Sequence, residues 1–300
     1  MNIPEVRVKT RIPDDEMADK VGKILTPDDY NILLTGPMRV FKPDGKLLCV
    51  YLPGAIPAAL REQVYPDLHK IKSPTDNRGL ASGSRPVKSG GAGRGRNVRV
   101  NSAIIGYFDA KPPHFHCRLT AYTAQDTQGW EAVQPLFKDI AGRFAEMVPD
   151  RYAAQMEVVN RTQPDWVITG TPFTTITVNN TYPTGVHTDS GDLDEGFSCL
   201  ATLRRGDYSG GQLTFPAYRV AVDMQDGDLI MMDAHEWHGN VKMEKHSDDA
   251  ERISVVCYYR TEMQACGTFD EELAKGAAVD EWRVGLGEKP GHMSKGGSKA

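Results

Sequence analysis

Two histidines and one aspartate in this chain have types and a spacing that can bind a transition metal. His187 and Asp189 are separated by a single residue, and His238 follows much later. Because residues two apart in a β-strand point to the same face, His187 and Asp189 can direct a nitrogen and an oxygen at one point. A histidine from a distant strand would complete the set. Two neutral imidazoles and one carboxylate suit Fe(II) and leave coordination positions open.

An arginine and a serine farther along the chain have the types needed to bind a carboxylate. Arg252 begins an apolar segment, and Ser254 lies two residues on, hence on the same strand face. An unpaired buried charge is costly, so Arg252 requires an anionic partner. The distal carboxylate of 2-oxoglutarate can accept two parallel guanidinium hydrogen bonds, and Ser254 can add a hydroxyl. A structural salt bridge is the alternative interpretation of Arg252.

His235 competes with His238 for the distal position in the metal site. The two lie three residues apart, so a regular strand cannot direct both inward. His238 is favoured because it precedes Gly239, where the absence of a Cβ lets another backbone come close. His235 is then expected at the surface or in the layer that supports the ligands.

The elements that must position these residues are short strands. From 166 to 260, apolar segments alternate with turn signals such as Ser209-Gly210-Gly211. The predicted strands are WVITG, FTTITVN, FSCLATLR, GQLTFP, RVAVDM, DLIMMD and ISVVCYYR. Short strands at regular spacing indicate a β-sandwich or barrel.

The remaining segments predict a mixture of strands and helices. Residues 31–60 favour short strands, 56–72 a helix, 100–123 two strands, 127–147 an amphipathic helix and 268–283 a helix, with a disordered tail at 287–300. The predicted organisation has four parts, which together form one catalytic domain. They are an N-terminal α/β flanking region (1–72), a flexible basic loop (73–99), the β core with a supporting helix (100–265), and a C-terminal helix with the tail (266–300).

The basic loop has two interpretations. It is rich in glycine, serine and arginine, with Asp76 as its single acid. Such a composition is typical of a flexible surface loop. The alternative is a mobile loop whose arginines bind phosphates.

Composition limits the class of protein. The 300 residues have a net charge of −5, which argues against a broadly cationic surface but leaves a local basic groove open. The N-terminus lacks the apolar core of a signal peptide, and no segment is long and apolar enough to span a membrane. We expect an intracellular protein, nuclear in a eukaryote and cytoplasmic in a bacterium or virus, with no membrane association and no obligate protein partner.

The cysteines indicate free thiols. Their number is odd, they are scattered, and no C-x-x-C pair occurs, so neither a disulfide framework nor a zinc ribbon is expected. The five are Cys49, Cys117, Cys199, Cys257 and Cys266. Free thiols suit a reducing compartment.

Several segments resemble the TET/J-binding-protein (thymine hydroxylase-like) branch of the 2-oxoglutarate/Fe(II)-dependent dioxygenase superfamily. The order H-x-D, distal histidine, R-x-S is specific for the superfamily, and the flanking segments narrow the match to the branch. These segments are Asn77–Gly79, Ile105–Asp109, Cys117–Thr120, Phe173–Asn179, His187–Asp192, Ser209–Pro216 and His238–Asn240. The resemblance covers about residues 75–260.

The resemblance implies a fold and an activity. The fold would be α+β, with a double-stranded β-helix (jelly-roll or cupin-like) core and flanking helices. The activity would be hydroxylation of the C5-methyl group of a pyrimidine, 5-methylcytosine or thymine, in DNA, with Fe(II), 2-oxoglutarate and O₂. The J-binding proteins also have a separate DNA-binding domain and animal TET proteins a cysteine-rich zinc-binding region; neither is expected in this chain.

The resemblance also assigns residues. His187, Asp189 and His238 would bind iron, and Arg252 with Ser254 the far carboxylate of 2-oxoglutarate. Arg78 is similar to an arginine used near the cosubstrate's other end. Asn179 and Asp192 would contact the substrate. Asp192 departs from the methylcytosine members, which have a neutral polar residue there, so base identity stays open; its carboxylate could accept from thymine N3–H or cytosine N4–H₂.

Two other functions fit the same sequence. The first is a dioxygenase of the same fold that acts on an amino acid, a protein side chain or a small metabolite, which the net negative charge favours. The second is a non-catalytic β-barrel binding module, which the intact triad with Arg252 disfavours.

Overall fold

Sixteen strands and six α-helices lie within the residues that the structure, a computed structural model, describes: 3–76, 78–83, 98–112 and 114–286. The strands are β1 (Glu5–Arg7), β2 (Ile32–Leu34), β3 (Met38–Phe41), β4 (Leu47–Leu52), β5 (Pro74–Thr75), β6 (Val100–Phe108), β7 (Arg118–Leu119), β8 (Thr175–Asn180), β9 (Ser198–Arg205), β10 (Tyr208–Gly210), β11 (Leu213–Phe215), β12 (Val220–Val222), β13 (Leu229–Met232), β14 (Gly239–Asn240), β15 (Met243–Lys245) and β16 (Glu251–Tyr258). The helices are α1 (Asp14–Met17), α2 (Ala58–Lys70), α3 (Ala121–Gln125), α4 (Thr127–Met147), α5 (Pro149–Val159) and α6 (Phe269–Gly285).

The chain divides into two compact units, each built from separate stretches. The first comprises the described residues of Met1–Ala103, Val178–Ser190 and Ser198–Val256. The second comprises those of Ile104–Thr177, Gly191–Phe197 and Cys257–Ala300. These boundaries differ from the four consecutive regions inferred from the sequence, and that four-part division stays a prediction.

Two sheets share one buried core in the first unit. The strands that lie wholly or partly in this unit follow the order β1-β3-β4-β13-β9-β16-β8-β6-β5 in the large sheet and β14-β11-β12-β2 in the smaller one. Leu48 and Ile230 from the large sheet and Phe215 and Val220 from the smaller sheet belong to a single apolar cluster and are fully buried. A sheet buried against another sheet requires apolar residues on its inner face, which explains the apolar strands read from the sequence.

Helices dominate the second unit. The apolar stripe predicted on residues 127–147 is confirmed: Trp130 and Phe144 are buried on one face of α4. Asp126 begins this helix, and its carboxylate accepts a hydrogen bond from the Gly129 N–H at 2.9 Å. The predicted helix at 268–283 is likewise present as α6, which begins at a capping box formed by Thr268 and Glu271.

Two strands expected from the sequence are wrong or shorter. Residues 166–170 are not a strand, because Pro164 starts a 3₁₀ turn and Gly170 adopts a positive φ of 76°. The segment 116–123 is extended only at Arg118–Leu119, and a short helix follows directly after Thr120. In both segments β-branched and aromatic residues favoured a strand, but the turn residues beside them decide the conformation.

The expectation of five free thiols is wrong for one pair. Cys117 and Cys266 form a disulfide within the second unit, across a sequence separation of 149 residues. Cys49, Cys199 and Cys257 are buried free thiols. Sequence spacing gives no signal for a bridge between such distant cysteines, so the cysteine count does not support a reducing compartment.

Several expectations fall outside the described part of the chain. They concern residues 84–97 of the basic loop, Asn77 and the tail from Gly287. Within the described residues of the loop, β5 pairs with β6, and Gly79–Ser82 form a 3₁₀ turn. Across the described chain, every helix is too short or too polar to cross a membrane.

A buried carboxylate ties α2 to the large sheet in the first unit. Glu251 at the start of β16 accepts hydrogen bonds from the Tyr65 hydroxyl at 2.6 Å and the Asn180 amide at 2.8 Å. His69 Nδ1 and Lys72 Nζ lie 2.8 and 3.2 Å from its oxygens. Burial raises the pKa of Glu251, but the hydrogen bonds outweigh burial and hold the pKa at about 2.

We expect Glu251→Gln to remove a pH-dependent part of the stability. Because the folded-state pKa is lowered, the stabilisation is present above the ordinary pKa near 4.5 and is lost as pH falls toward 2. The difference in unfolding free energy between wild type and variant should therefore shrink over that range. Denaturant unfolding at several pH values measures this, with Glu281→Gln on the exposed face of α6 as control. A difference that stays constant across the range would contradict the prediction.

Candidate metal centre

The two histidines lie opposite each other on neighbouring extended segments. The His187 N–H donates to the His238 carbonyl at 2.9 Å, and the His238 N–H donates to the His187 carbonyl at 3.0 Å. Their ring centroids are 4.4 Å apart. Gly239 favours the close approach, because a Cβ there would lie 3.1 Å from the Cα of Val186, which is tighter than most Cβ contacts. The sequence favoured His238 because Gly239 allows another backbone to come close, and the structure has such a close approach.

Asp189 brings its carboxylate to the same point. Its Oδ1 lies 3.5 Å from His187 Nε2, and its Oδ2 lies 3.6 Å from His238 Nε2. One ligand atom from each of the three residues falls within 4.8 Å of the others. His235 is directed elsewhere, with its Nδ1 3.3 Å from Asp233 Oδ1. The structure thus places His238, and not His235, in the cluster with His187 and Asp189.

Backbone carbonyls fix which nitrogen of each ring faces the cluster. His187 Nδ1–H donates to the Gly185 carbonyl at 2.8 Å, and His238 Nδ1–H donates to the Glu236 carbonyl at 2.9 Å. Because a carbonyl can only accept, the hydrogen of a neutral ring resides on Nδ1. The Nε2 lone pairs then point toward Asp189. Orienting bonds of this kind are typical of metal-binding histidines.

The protonation states suit a cation. Burial, followed by the neighbouring His238 ring, lowers the pKa of His187, so this imidazole is neutral at physiological pH. Burial raises the pKa of Asp189, but the interactions with the His238 and His187 side chains outweigh burial and hold the pKa at about 2, so the carboxylate is ionised. Two imidazole nitrogens and one ionised carboxylate are a donor set that fits Fe(II).

Arg252 and Ser254 are buried polar residues with unused hydrogen-bonding capacity. Arg252 is 4% exposed and Ser254 2% exposed, both on β16. Within the described part of the chain, Arg252 Nη2 and Ser254 Oγ are buried atoms without a hydrogen-bond partner. Burial lowers the pKa of Arg252. Buried donors without partners cost stability, so these two fit a ligand carboxylate such as that of 2-oxoglutarate.

Tyr208 is a third buried polar residue near Arg252, and nothing in the sequence indicated this proximity. Its hydroxyl is buried and also lacks a partner among the described residues. A Cβ built on Gly211 would lie 3.7 Å from Tyr208 Cε2 and 3.8 Å from Arg252 Cδ, so both side chains border the same glycine. Burial raises the pKa of Tyr208, so its hydroxyl can donate. The sequence indicated a turn at Ser209-Gly210-Gly211, whereas Tyr208–Gly210 form β10, and neither pattern signals this proximity.

Replacing Ser254 by alanine should separate ligand binding from folding. Removing an unsatisfied buried hydroxyl should raise the unfolding free energy of the ligand-free chain by about 1 kcal/mol. Loss of one hydrogen bond to the cosubstrate should raise the KM for 2-oxoglutarate by about 3–10-fold. Calorimetry and steady-state kinetics measure the two effects. A lower Tm with an unchanged KM would instead show a purely structural serine.

Arg78 directly precedes the 3₁₀ turn Gly79–Ser82. This turn contacts the segment that leads to His187, because the Gly185 N–H donates to the Ala81 carbonyl at 2.8 Å. Burial raises the pKa of Tyr182, whereas the charge of Arg78 acts in the opposite direction, which makes these two side chains electrostatic neighbours. The role of Arg78 at the 2-oxo end of the cosubstrate stays a prediction.

The two residues assigned to the substrate lie in different units. Asn179 on β8 belongs to the first unit, where its side-chain oxygen accepts a hydrogen bond from the Ser102 hydroxyl. Asp192 belongs to the second unit, is 9% exposed and pairs with Arg260 in an isolated β-bridge. Their contacts with a substrate stay predictions.

Comparisons with known proteins agree with this site. The family model described as the oxygenase domain of the 2OGFeDO superfamily, Tet_JBP, matches residues 103–261, just over half of the chain. A thymine dioxygenase JBP1 of Trypanosoma brucei brucei is 34% identical over 237 residues, which cover 77% of this chain and 26% of that protein. The thymine dioxygenase JBP1 of Leishmania braziliensis is 37% identical over 175 residues, covering 57% of this chain and 21% of that protein. The chain therefore spans about a quarter of the length of these relatives.

A solved structure shares the fold. It is described as NgTET1 in complex with 5mC DNA and superposes with a TM-score of 0.60, covering 93% of this chain and 91% of that one. At 13% sequence identity the likeness concerns the fold alone. It confirms the predicted α+β class with a jelly-roll core and flanking helices.

Proposed function

Because the chain belongs to the Tet_JBP family of oxygenase domains in the 2OGFeDO superfamily, we propose that it is a 2-oxoglutarate- and Fe(II)-dependent dioxygenase that hydroxylates the C5-methyl group of a pyrimidine in DNA. The pyrimidine is 5-methylcytosine or thymine. The observation that carries the proposal is the convergence of His187, Asp189 and His238 within 4.8 Å.

The chain's residues would bind and orient the cofactors. The chemistry that Fe(II) and 2-oxoglutarate supply when bound is the O₂-dependent hydroxylation of a C–H bond. Nε2 of His187, a carboxylate oxygen of Asp189 and Nε2 of His238 would hold the metal. Arg252 and Ser254 would hold the distal carboxylate of the cosubstrate through donors that have no other described partner. Their burial keeps water away from this carboxylate.

The relatives support a pyrimidine in DNA as the substrate. Those with 34 and 37% identity are named thymine dioxygenases, and the solved structure of the same fold holds 5-methylcytosine DNA. A methyl group inside a duplex is out of reach of a buried metal, so the target base must leave the stack. The arginines of the 73–99 region would then bind phosphates. Such a substrate suits an enzyme that works where DNA is found, in the nucleus of a eukaryote or in the cytoplasm for a bacterial or viral protein.

A substrate comparison tests the proposal. The 300-residue chain is incubated with Fe(II), 2-oxoglutarate and duplexes containing thymine or 5-methylcytosine, and nucleosides are then analysed by mass spectrometry. We expect a hydroxymethyl nucleoside from one or both duplexes, together with succinate. Free amino acids and peptides serve as comparison substrates. Succinate formed in response to those substrates alone would reject DNA as the substrate and favour the non-nucleic alternative.

A further inference from the structure

One turn supports two of the three candidate metal ligands. It consists of Asp233–Trp237, between β13 and His238, and is called the ligand turn below. Its Ala234 carbonyl accepts the Asp189 N–H at 3.0 Å. Its Glu236 carbonyl accepts the His238 Nδ1–H at 2.9 Å. A shift of this turn would therefore move a carboxylate and an imidazole together.

A single lysine joins the two ends of the ligand turn. Lys42 follows β3, and its Nζ donates to Asp233 Oδ2 at 2.9 Å and to Glu236 Oε1 at 3.0 Å. The lysine is 8% exposed, and both carboxylate side chains are 15% exposed. Lysine is rarely buried without ionic partners. Without its ammonium group, two mostly buried carboxylates would face each other at opposite ends of one short turn.

The N-terminal segment adds two further contacts to the same turn. Arg11 Nε donates to Glu236 Oε2 at 3.3 Å, and Trp237 Nε1 donates to Asp14 Oδ1 at 2.8 Å. Arg11, Asp14 and Lys42 all precede residue 103, where the match to the family model begins. The support of the ligand turn thus comes from a region that the family model does not include.

We infer that Lys42 is a positioning residue for the metal centre, acting through the ligand turn on Asp189 and His238. The inference rests on the proposed function, because it assumes that these side chains bind a metal. It assigns the N-terminal region a role in metal affinity. Loss of a residue that supports metal ligands typically weakens metal binding by about 10–100-fold. We expect an effect of about tenfold for Lys42, because Arg11 and Trp237 still hold the turn.

Cobalt titration of the full chain tests the inference without substrate turnover. Co(II) serves as the probe, and its visible absorption reports both the affinity and the geometry of the site. The variants are Lys42→Met, the matched control Lys46→Met and the conservative Lys42→Arg. Lys46 lies in the same β3–β4 hairpin with its side chain 68% exposed. Titrations are done at a temperature where circular dichroism shows every variant folded.

The expected result is a Co(II) Kd about tenfold higher for Lys42→Met, with a changed absorption spectrum, a wild-type Kd for Lys46→Met and partial recovery for Lys42→Arg. If Lys42→Met does not fold, Lys42→Gln, which removes the charge but keeps donors, takes its place. A wild-type Kd and spectrum for the folded Lys42 variant would overturn the inference. Failure of the wild-type chain to bind Co(II) would contradict the proposed function instead.

Discussion

Replacing His238 by alanine should abolish Fe(II)-dependent turnover, whereas replacing His235 should not. His238 Nε2 lies 3.6 Å from the Asp189 carboxylate, and its removal leaves two of the three ligands. Loss of a supporting residue costs about 10–100-fold in metal affinity, and loss of a ligand should cost more. Succinate release and iron content, measured for both variants and the wild type, check the expectation.

His235→Ala is a matched control for His238→Ala, because it removes the same kind of side chain three residues away. His235 bonds to Asp233 in the ligand turn but contributes no atom to the cluster, so His235→Ala should lose at most the roughly tenfold in metal affinity expected of a supporting residue and keep most of its turnover at saturating iron. Added imidazole should restore part of the activity of His238→Ala alone, by occupying the space of the missing ring. Equal losses in both variants, or full activity of His238→Ala, would refute the assignment of the distal ligand.

Replacing Arg252 by methionine should raise the KM for 2-oxoglutarate by about 100-fold. Each hydrogen bond to a charged group contributes about 1.5–3 kcal/mol, and a guanidinium can form two with one carboxylate. Two such bonds at the lower limit amount to about 3 kcal/mol, and each 1.4 kcal/mol changes affinity about tenfold. Steady-state kinetics with varied cosubstrate measures the change.

A cosubstrate without the distal carboxylate isolates this contact. With 2-oxobutanoate, the wild type and Arg252→Met should have similar KM values, because the group that Arg252 binds is absent. Arg7→Met removes a surface arginine whose side chain is 65% exposed and should keep the wild-type KM for 2-oxoglutarate. A variant that keeps its preference for 2-oxoglutarate over 2-oxobutanoate would show that Arg252 is merely a structural cation.

The triad was predictable because its chemistry depends on residue type and strand period. The spacing of His187 and Asp189 predicted that both point to one place, and both reach the cluster. The glycine after His238 indicated a close backbone approach, which the structure contains. The short strands of the core were predicted from their apolar composition. The buried face of α4 was predicted from the helical spacing of its apolar residues.

Contacts between distant positions were not predictable from one sequence. The Cys117–Cys266 disulfide, the proximity of Tyr208 to Arg252 and the bonds of Lys42 to the ligand turn all join residues far apart in the chain. No periodicity relates such positions, since tertiary packing alone determines them. The strand expected at residues 166–170 failed for a local reason, because a proline and a glycine override β propensity.

Anomalous diffraction at the iron absorption edge would show directly whether His187, Asp189 and His238 bind the iron. Crystals of the full chain, grown anaerobically with Fe(II) and 2-oxoglutarate, should give one strong iron peak per chain. We expect this iron to be bound by Nε2 of His187, the carboxylate of Asp189 and Nε2 of His238, with the cosubstrate's distal carboxylate at Arg252. An iron peak at any other group of residues, or His238 directed away from the metal, would contradict it.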